Sequence, residues 1–362
     1  MTAKSFFNLE KNQITIIKGI AIIMIVLHNF LHWSSPFIRE NELDYDFSRL
    51  KKLGEVIFSE PAYILSGLFS YFGHFGVQLF IFVSAYGLTK KYLKSGENIN
   101  YIDFIRFRFL KIYSLVFVGL SVMFCYDVVY KNGSLLLFLK NGLDVLLMTK
   151  NFSYDQIFAY VGPWWFFSLI LQLYLVFPFL YKFIRNKQEK GFYILLAISY
   201  LLIYMFLPLA EKFRVPIFGN FLGHLPEFSL GIILALSQKI KFNKTILLTA
   251  LFVFALSNLS VYTFPLSFLS VTILLLTMIY PVFRLSERNI FVKILCFTGK
   301  ASMFVFIING PLRYLTLKYA ENQSPLTVYG IAVIHLAIAV GVSYVISLIY
   351  DKTVLRVIQR IM

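Results

Sequence analysis

Two histidines stand near the end of the first long apolar run of this chain. The stretch from Ile16 to Trp33 is otherwise apolar apart from Lys18 and Asn29, and it carries His28 and His32. A spacing of four places both rings on one face of a helix. A neutral imidazole accepts protons near neutral pH, so the chemistry on offer is general-base activation of a hydroxyl. A pair of interfacial histidines at a helix end is the plainer reading. A zinc site is not expected, because the pair lacks the intervening Glu of HExxH. Lys18 lies ten residues before His28, about 15 Å along a helix axis, and His32 is about 6 Å further on.

Other polar residues fall inside apolar runs, where an ionisable or amide group marks a candidate site. His74 and Gln78 are four apart in Gly73–Leu88, which also holds Ser84 among small residues suited to close helix packing. Arg106, Arg108 and Lys111 open a further run. They could hold an anionic group such as a nucleotide phosphate, or serve as membrane-end anchors. Trp164 and Trp165 stand where an aromatic belt would, with Gln172 further along, lining a cavity or bridging helices. Asn309-Gly310-Pro311 predicts a broken or kinked helix whose polar point faces a cavity.

The elements that must position these residues are membrane spans. The chain has 362 residues, of which 59% are hydrophobic and only 14% charged, too little polar surface for a soluble domain. A span needs about 20 mostly apolar residues. That ruler gives ten, near 14–33, 71–90, 108–130, 163–182, 191–209, 220–238, 245–262, 265–283, 294–317 and 326–350. The sixth is short. Residues 135–148 read as an interfacial helix. The expected fold is therefore an all-α polytopic membrane protein with about ten transmembrane helices. It forms one domain over 1–362 with no fused soluble domain, and its first span is retained rather than cleaved. Cys125 and Cys296 sit in apolar runs and define neither a disulfide framework nor a metal site.

The net charge is +16, a value that would ordinarily suggest nucleic acid. With the N-terminus placed inside, 22 basic residues face six acidic ones on the inner side, and the remaining charges cancel. The excess is then an orientation signal with both termini cytoplasmic. No nucleic-acid partner is expected.

Four stretches in order resemble the acyltransferase-3 family of integral membrane acyltransferases. They are Lys18-Gly19-Ile20-Ala21 followed by His28; Phe75 to Gly87; the basic run Arg106, Arg108, Lys111; and Trp165-Phe166-Phe167-Ser168-Leu169 with Gln172, Tyr174 and Pro178. Weaker echoes are Leu225 to Gly231 and Gly299 to Gly310. Two departures stand out. The family usually has Arg and ten intervening residues before the histidine, whereas here Lys18 precedes His28 by nine. Gln172 stands where the family usually has an acid, and a neutral amide cannot orient a histidine as a carboxylate would.

The resemblance implies acyl transfer from cytoplasmic acetyl-CoA, or another acyl-CoA, to a hydroxyl of a cell-surface or capsule polysaccharide. No cofactor would be permanently bound. Lys18, Arg106, Arg108 and Lys111 would hold the donor, and His28 or His32 would act as base. His74, Gln78, Ser84, Trp164, Trp165, Gln172 and Asn309 would line the cavity or acceptor site. Expected partners are membrane lipid, the glycan, and a second copy or an acyl carrier. The expected location is the plasma membrane of a bacterium. The rival class is a transporter or flippase for a polysaccharide or lipid-linked sugar, which shares broken helices and mid-membrane polar groups.

Overall fold

The computed structural model describes residues 9–34, 43–96, 99–237 and 243–361. Lys4, Arg39, Glu40, Glu42, Glu97, Lys239 and Lys241, which enter the charge map, lie outside them. All regular structure among the described residues is helical. The α-helices are α1 (Lys11–Leu31), α2 (Phe47–Ser59), α3 (Ile64–Phe72), α4 (Gly76–Ser95), α5 (Tyr101–Phe124), α6 (Leu135–Leu146) and α7 (Trp165–Lys212). They continue with α8 (Phe221–Leu236), α9 (Lys244–Ser257), α10 (Ser267–Ile279), α11 (Ile290–Thr316), α12 (Pro325–Lys352) and α13 (Val354–Ile361).

Among the described residues seven helical segments are long and apolar enough to cross a membrane, and α8 and α9 are shorter apolar helices. Large apolar side chains such as Phe117, Leu201, Phe252, Met278 and Val333 stay exposed on them. Water would penalise so much bare apolar surface, whereas lipid does not. Two starts show why the helices begin where they do. A capping box opens α1, with the Glu10 amide donating to Gln13 Oε1 at 2.9 Å. Asp46 caps α2 by accepting from the Ser48 amide at 2.8 Å.

Helix α2 lies between the first two expected spans, where the search for spans assigns no element. It is amphipathic and buries Arg49, Leu53 and Val56. At 13 residues it falls below a ruler set for membrane spans. Helix α7 merges the fourth and fifth expected spans into 48 residues, about 72 Å if straight. It breaks at Gln188, whose φ of 52° is left-handed.

Of the break or kink expected at Asn309-Gly310-Pro311, the break does not occur, since α11 runs through these residues. Proline at 311 removes the N–H that would bond the Ile307 carbonyl. Trp164 Nε1 donates to that carbonyl instead, at 3.2 Å. An indole from a remote part of the chain thus satisfies the group that proline orphans.

Helix α1 lies at the centre, packed on α11, α4, α3 and α12, while α8 packs against both α4 and α7. The α1–α11 seam is set by two glycines. A methyl on Gly19 would strike the Leu295 carbonyl, and one on Gly299 the Thr15 carbonyl. Both obstacles are backbone and cannot rotate away. Gly299→Ala should therefore destabilise the protein by about 1–3 kcal/mol or more, as overpacking does. The measurement is thermal unfolding in detergent, and an unchanged midpoint would refute this account of the seam.

Candidate active site

Helices α1, α4, α5 and α7 enclose a cavity of about 220 Å³. Its polar lining among the described residues is Lys18, Lys91, Arg108, Lys111, Ser84 and Tyr174, with no carboxylate among them. On α4, Ser84, Gly87, Leu88 and Lys91 share a face by helical spacing and all line the cavity. On α5, Arg108 and Lys111 are three apart and share a face. Arg106 is two residues from Arg108, about 200° around the helix. It is exposed and does not line the cavity.

The Arg108 guanidinium lies over the rings of Tyr174, Phe104 and Phe107, at 5.2, 5.4 and 5.5 Å from their centroids. These rings hold the charge in place. Arg108 Nε is buried without a hydrogen-bond partner, a donor left for an incoming acceptor. Ser84 Oγ and Tyr174 OH are hydrogen-bonded at 2.9 Å. Phe80, Phe166, Ile170 and Met303 add apolar wall.

The other end of α1 carries the histidines. His28 and His32 are buried with ring centroids 4.8 Å apart, and His74 comes from the turn before α4 to 5.5 Å from His28. His28 Nδ1 lies 3.1 Å from the Phe69 carbonyl, and His32 Nδ1 lies 3.0 Å from Ser70 Oγ. A carbonyl only accepts, so Nδ1 of His28 carries the proton and the neutral ring keeps its lone pair on Nε2. A hydroxyl both donates and accepts, so the Ser70 contact leaves the His32 tautomer open. Among the described residues no group of three His, Cys, Asp or Glu side chains could hold a metal ion.

Buried residues of α11 brace this end. Arg313 donates to the Asn29 carbonyl at 2.9 Å, on the last turn of α1, and lies 4.6 Å from the centroid of Trp33. A cation there also suits the helix dipole. Asn309 Oδ1 lies 2.9 Å from His335 Nε2, and His335 Nδ1 lies 2.9 Å from Thr316 Oγ1.

The remaining sequence-selected residues are placed as follows. Gln78 is buried, and its Oε1 has no hydrogen-bond partner. Gln172 bridges helices, donating to Asn220 Oδ1 at 2.9 Å and accepting the Phe221 amide at 3.0 Å, which caps α8. Trp164 and Trp165 are buried rather than set in an exposed belt. The Trp165 carbonyl accepts from Asn151 Nδ2 at 3.0 Å.

The sequence reading passed over Lys91, His335 and the pair His224–Glu227. Lys91 could have been found from its helical spacing to Ser84. His224 and Glu227 are fully buried, with Nδ1 2.6 Å from Oε1 and His224 Nε2 2.6 Å from the Phe218 carbonyl. Nearby Lys150 is buried and donates to the Ala159 carbonyl, and burial holds its pKa down to about 8.

Among the described residues the fold is all-helical, with apolar helices long enough to span a membrane, a cationic cavity at one end of α1 and histidines at the other, which places the chain in the class of multi-pass helical membrane proteins. The sequence profile of the acyltransferase-3 family, described as an acyltransferase domain, matches residues 11–350. The chain belongs to that family and is a membrane acyltransferase. No curated protein and no solved structure matches it.

Proposed function

We propose that this protein transfers an acyl group, in the first place acetyl, from cytoplasmic acyl-CoA to a hydroxyl of a cell-surface or capsule glycan. In this reading the chain is one membrane domain with ten crossings and both termini in the cytoplasm of a bacterium. The seven long segments, the break in α7 and the two shorter helices add up to that number. The inner excess of Lys and Arg supports the orientation.

The observation that carries the reading is the cavity whose described lining residues include four cations and no carboxylate. At about 220 Å³ it is smaller than the roughly 300–1,000 Å³ that takes a whole drug-sized ligand. It would therefore admit the arm of acyl-CoA, with the nucleotide phosphates against Lys91, Arg108 and Lys111 at the mouth. Phe80, on the cavity wall, is six residues from His74, about 9 Å of helix. The thioester would be carried along α4 towards the histidines.

His28 Nε2 takes the proton of the acceptor hydroxyl as its oxygen attacks the thioester carbonyl. The C–O bond forms, the C–S bond breaks, and the proton passes from His28 to the departing CoA sulfur. Charge-assisted bonds to phosphate are worth about 1.5–3 kcal/mol each. Arg108→Ala should thus weaken acyl-CoA binding by roughly 10–100-fold, while Arg106→Ala changes it little. Competition binding with labelled CoA checks this, and equal losses in the two variants would sink the donor site.

A further inference from the structure

A second, wider depression lies at the histidine end. It has a volume of about 640 Å³ and is lined by Asp44, Tyr45, Tyr154, Asp155, Glu211 and Arg214, with Phe218 at its base. Separate parts of the chain build it: the segment after α1, the connection before α7, and the end of α7 with its following turn. Cross-links fix them. Tyr154 OH donates to Asp44, the Tyr154 amide donates to the Arg214 carbonyl at 2.9 Å, and Arg214 pairs with Asp155 at 2.7 Å.

The position of this cleft ties it to chemistry. Tyr45 also lines a small cavity of about 20 Å³ with Arg49, Tyr71 and His74, and the His74 ring is 5.5 Å from His28. That volume is room for about one water. Tyr45 is thus the common wall between an open cleft and the histidine cluster.

The lining selects a ligand class. Carboxylates accept hydrogen bonds from hydroxyls, and the tyrosine and phenylalanine rings offer flat apolar faces to a sugar ring. Among the described lining residues three carboxylates meet one guanidinium, and Asp155 already engages that guanidinium. Burial raises the pKa of Asp44, outweighing the Tyr154 hydrogen bond and the Arg49 charge that lower it, and the Glu211 charge adds a smaller push upward. An anionic ligand would meet like charge here, whereas a hydroxyl-rich or amine-bearing one would not.

We propose that this cleft is the acceptor site and that it takes a glycan without net negative charge. The proposal rests on the acyl-transfer reading. It is tested by binding, so that the two can fail separately.

The full-length protein in nanodiscs of a zwitterionic lipid is titrated at low ionic strength with three probes. They are a glucosamine trisaccharide, an N-acetylglucosamine trisaccharide and a galacturonate trisaccharide. The first two should bind at least tenfold more tightly than the third. Glu211 is exposed, so Glu211→Arg should fold, and it should narrow that gap about tenfold. Tyr45→Ala should weaken the neutral probe severalfold. Equal or tighter binding of galacturonate to the unaltered protein, an order unaffected by Glu211→Arg, or no binding of any probe would overturn the proposal. Glycan binding without transfer from acetyl-CoA would leave the cleft standing and remove the enzymatic reading.

Discussion

Replacing both histidines at the end of α1, as His28→Ala with His32→Ala, should lower acyl transfer by about 10²–10⁴-fold, the range that a positioned general base contributes. That corresponds to roughly 3–5.5 kcal/mol of barrier. The loss should sit in kcat, because the cavity proposed for the donor lies at the opposite end of the helix and its lining is untouched. CoA binding should be unchanged, which also shows that the variant is folded. The single variants separate the two rings. His28 faces a carbonyl that fixes its proton on Nδ1, so His28→Ala should account for most of the loss. His32 faces the Ser70 hydroxyl, so His32→Ala should cost less. A double variant with unaltered turnover would remove the proposed base.

The second large effect concerns stability. Glu227 and His224 are fully buried, and one proton lies in the 2.6 Å contact between them. Removing one member leaves an uncompensated polar group in the packed interior, which costs about 3–5 kcal/mol. Glu227→Ala or His224→Ala should each lower the unfolding midpoint by roughly 6–20 °C, taking about 2–4 °C per kcal/mol for large domains. The double variant His224→Leu with Glu227→Leu should lose less than either single variant, because nothing polar is then stranded. Additive losses in the double variant would contradict the pairing.

The sequence made much of this legible because membrane spans are long. Ten apolar runs and an uneven distribution of Lys and Arg need no tertiary knowledge to see. Helix α2 escaped because a 20-residue ruler passes over 13 residues, although the Asp46 cap and the apolar spacing of Leu53 and Val56 were in view. The intact helix at Pro311 was beyond any local rule, since its rescuer is Trp164, 143 residues away. Gln172 likewise takes its role from Asn220 and Phe221.

The residues proposed to hold the donor divide along the same line. Arg106 is separated from Arg108 and Lys111 by elementary helix geometry, a distinction already present in the spacing. That Lys18 of α1 and Lys91 of α4 join them depends on packing between helices. The histidine cluster is similar. The four-residue spacing of His28 and His32 is local, while the approach of His74 is set by α4 docking on α1. His74 sits in the short 3-10 turn that runs directly into α4, and Gln78 lies in the first turn of α4.

The most direct test of the account places the purified protein in liposomes with radiolabelled acetyl-CoA on the side of Lys18 and Arg108 and a neutral oligosaccharide on the side of His28. The account predicts that label appears on the oligosaccharide as free CoA accumulates in equal amount, and that His28→Ala lowers both together by most of the loss seen in the double variant. Movement of unmodified oligosaccharide across the bilayer with no consumption of acetyl-CoA would contradict it and identify a transporter instead.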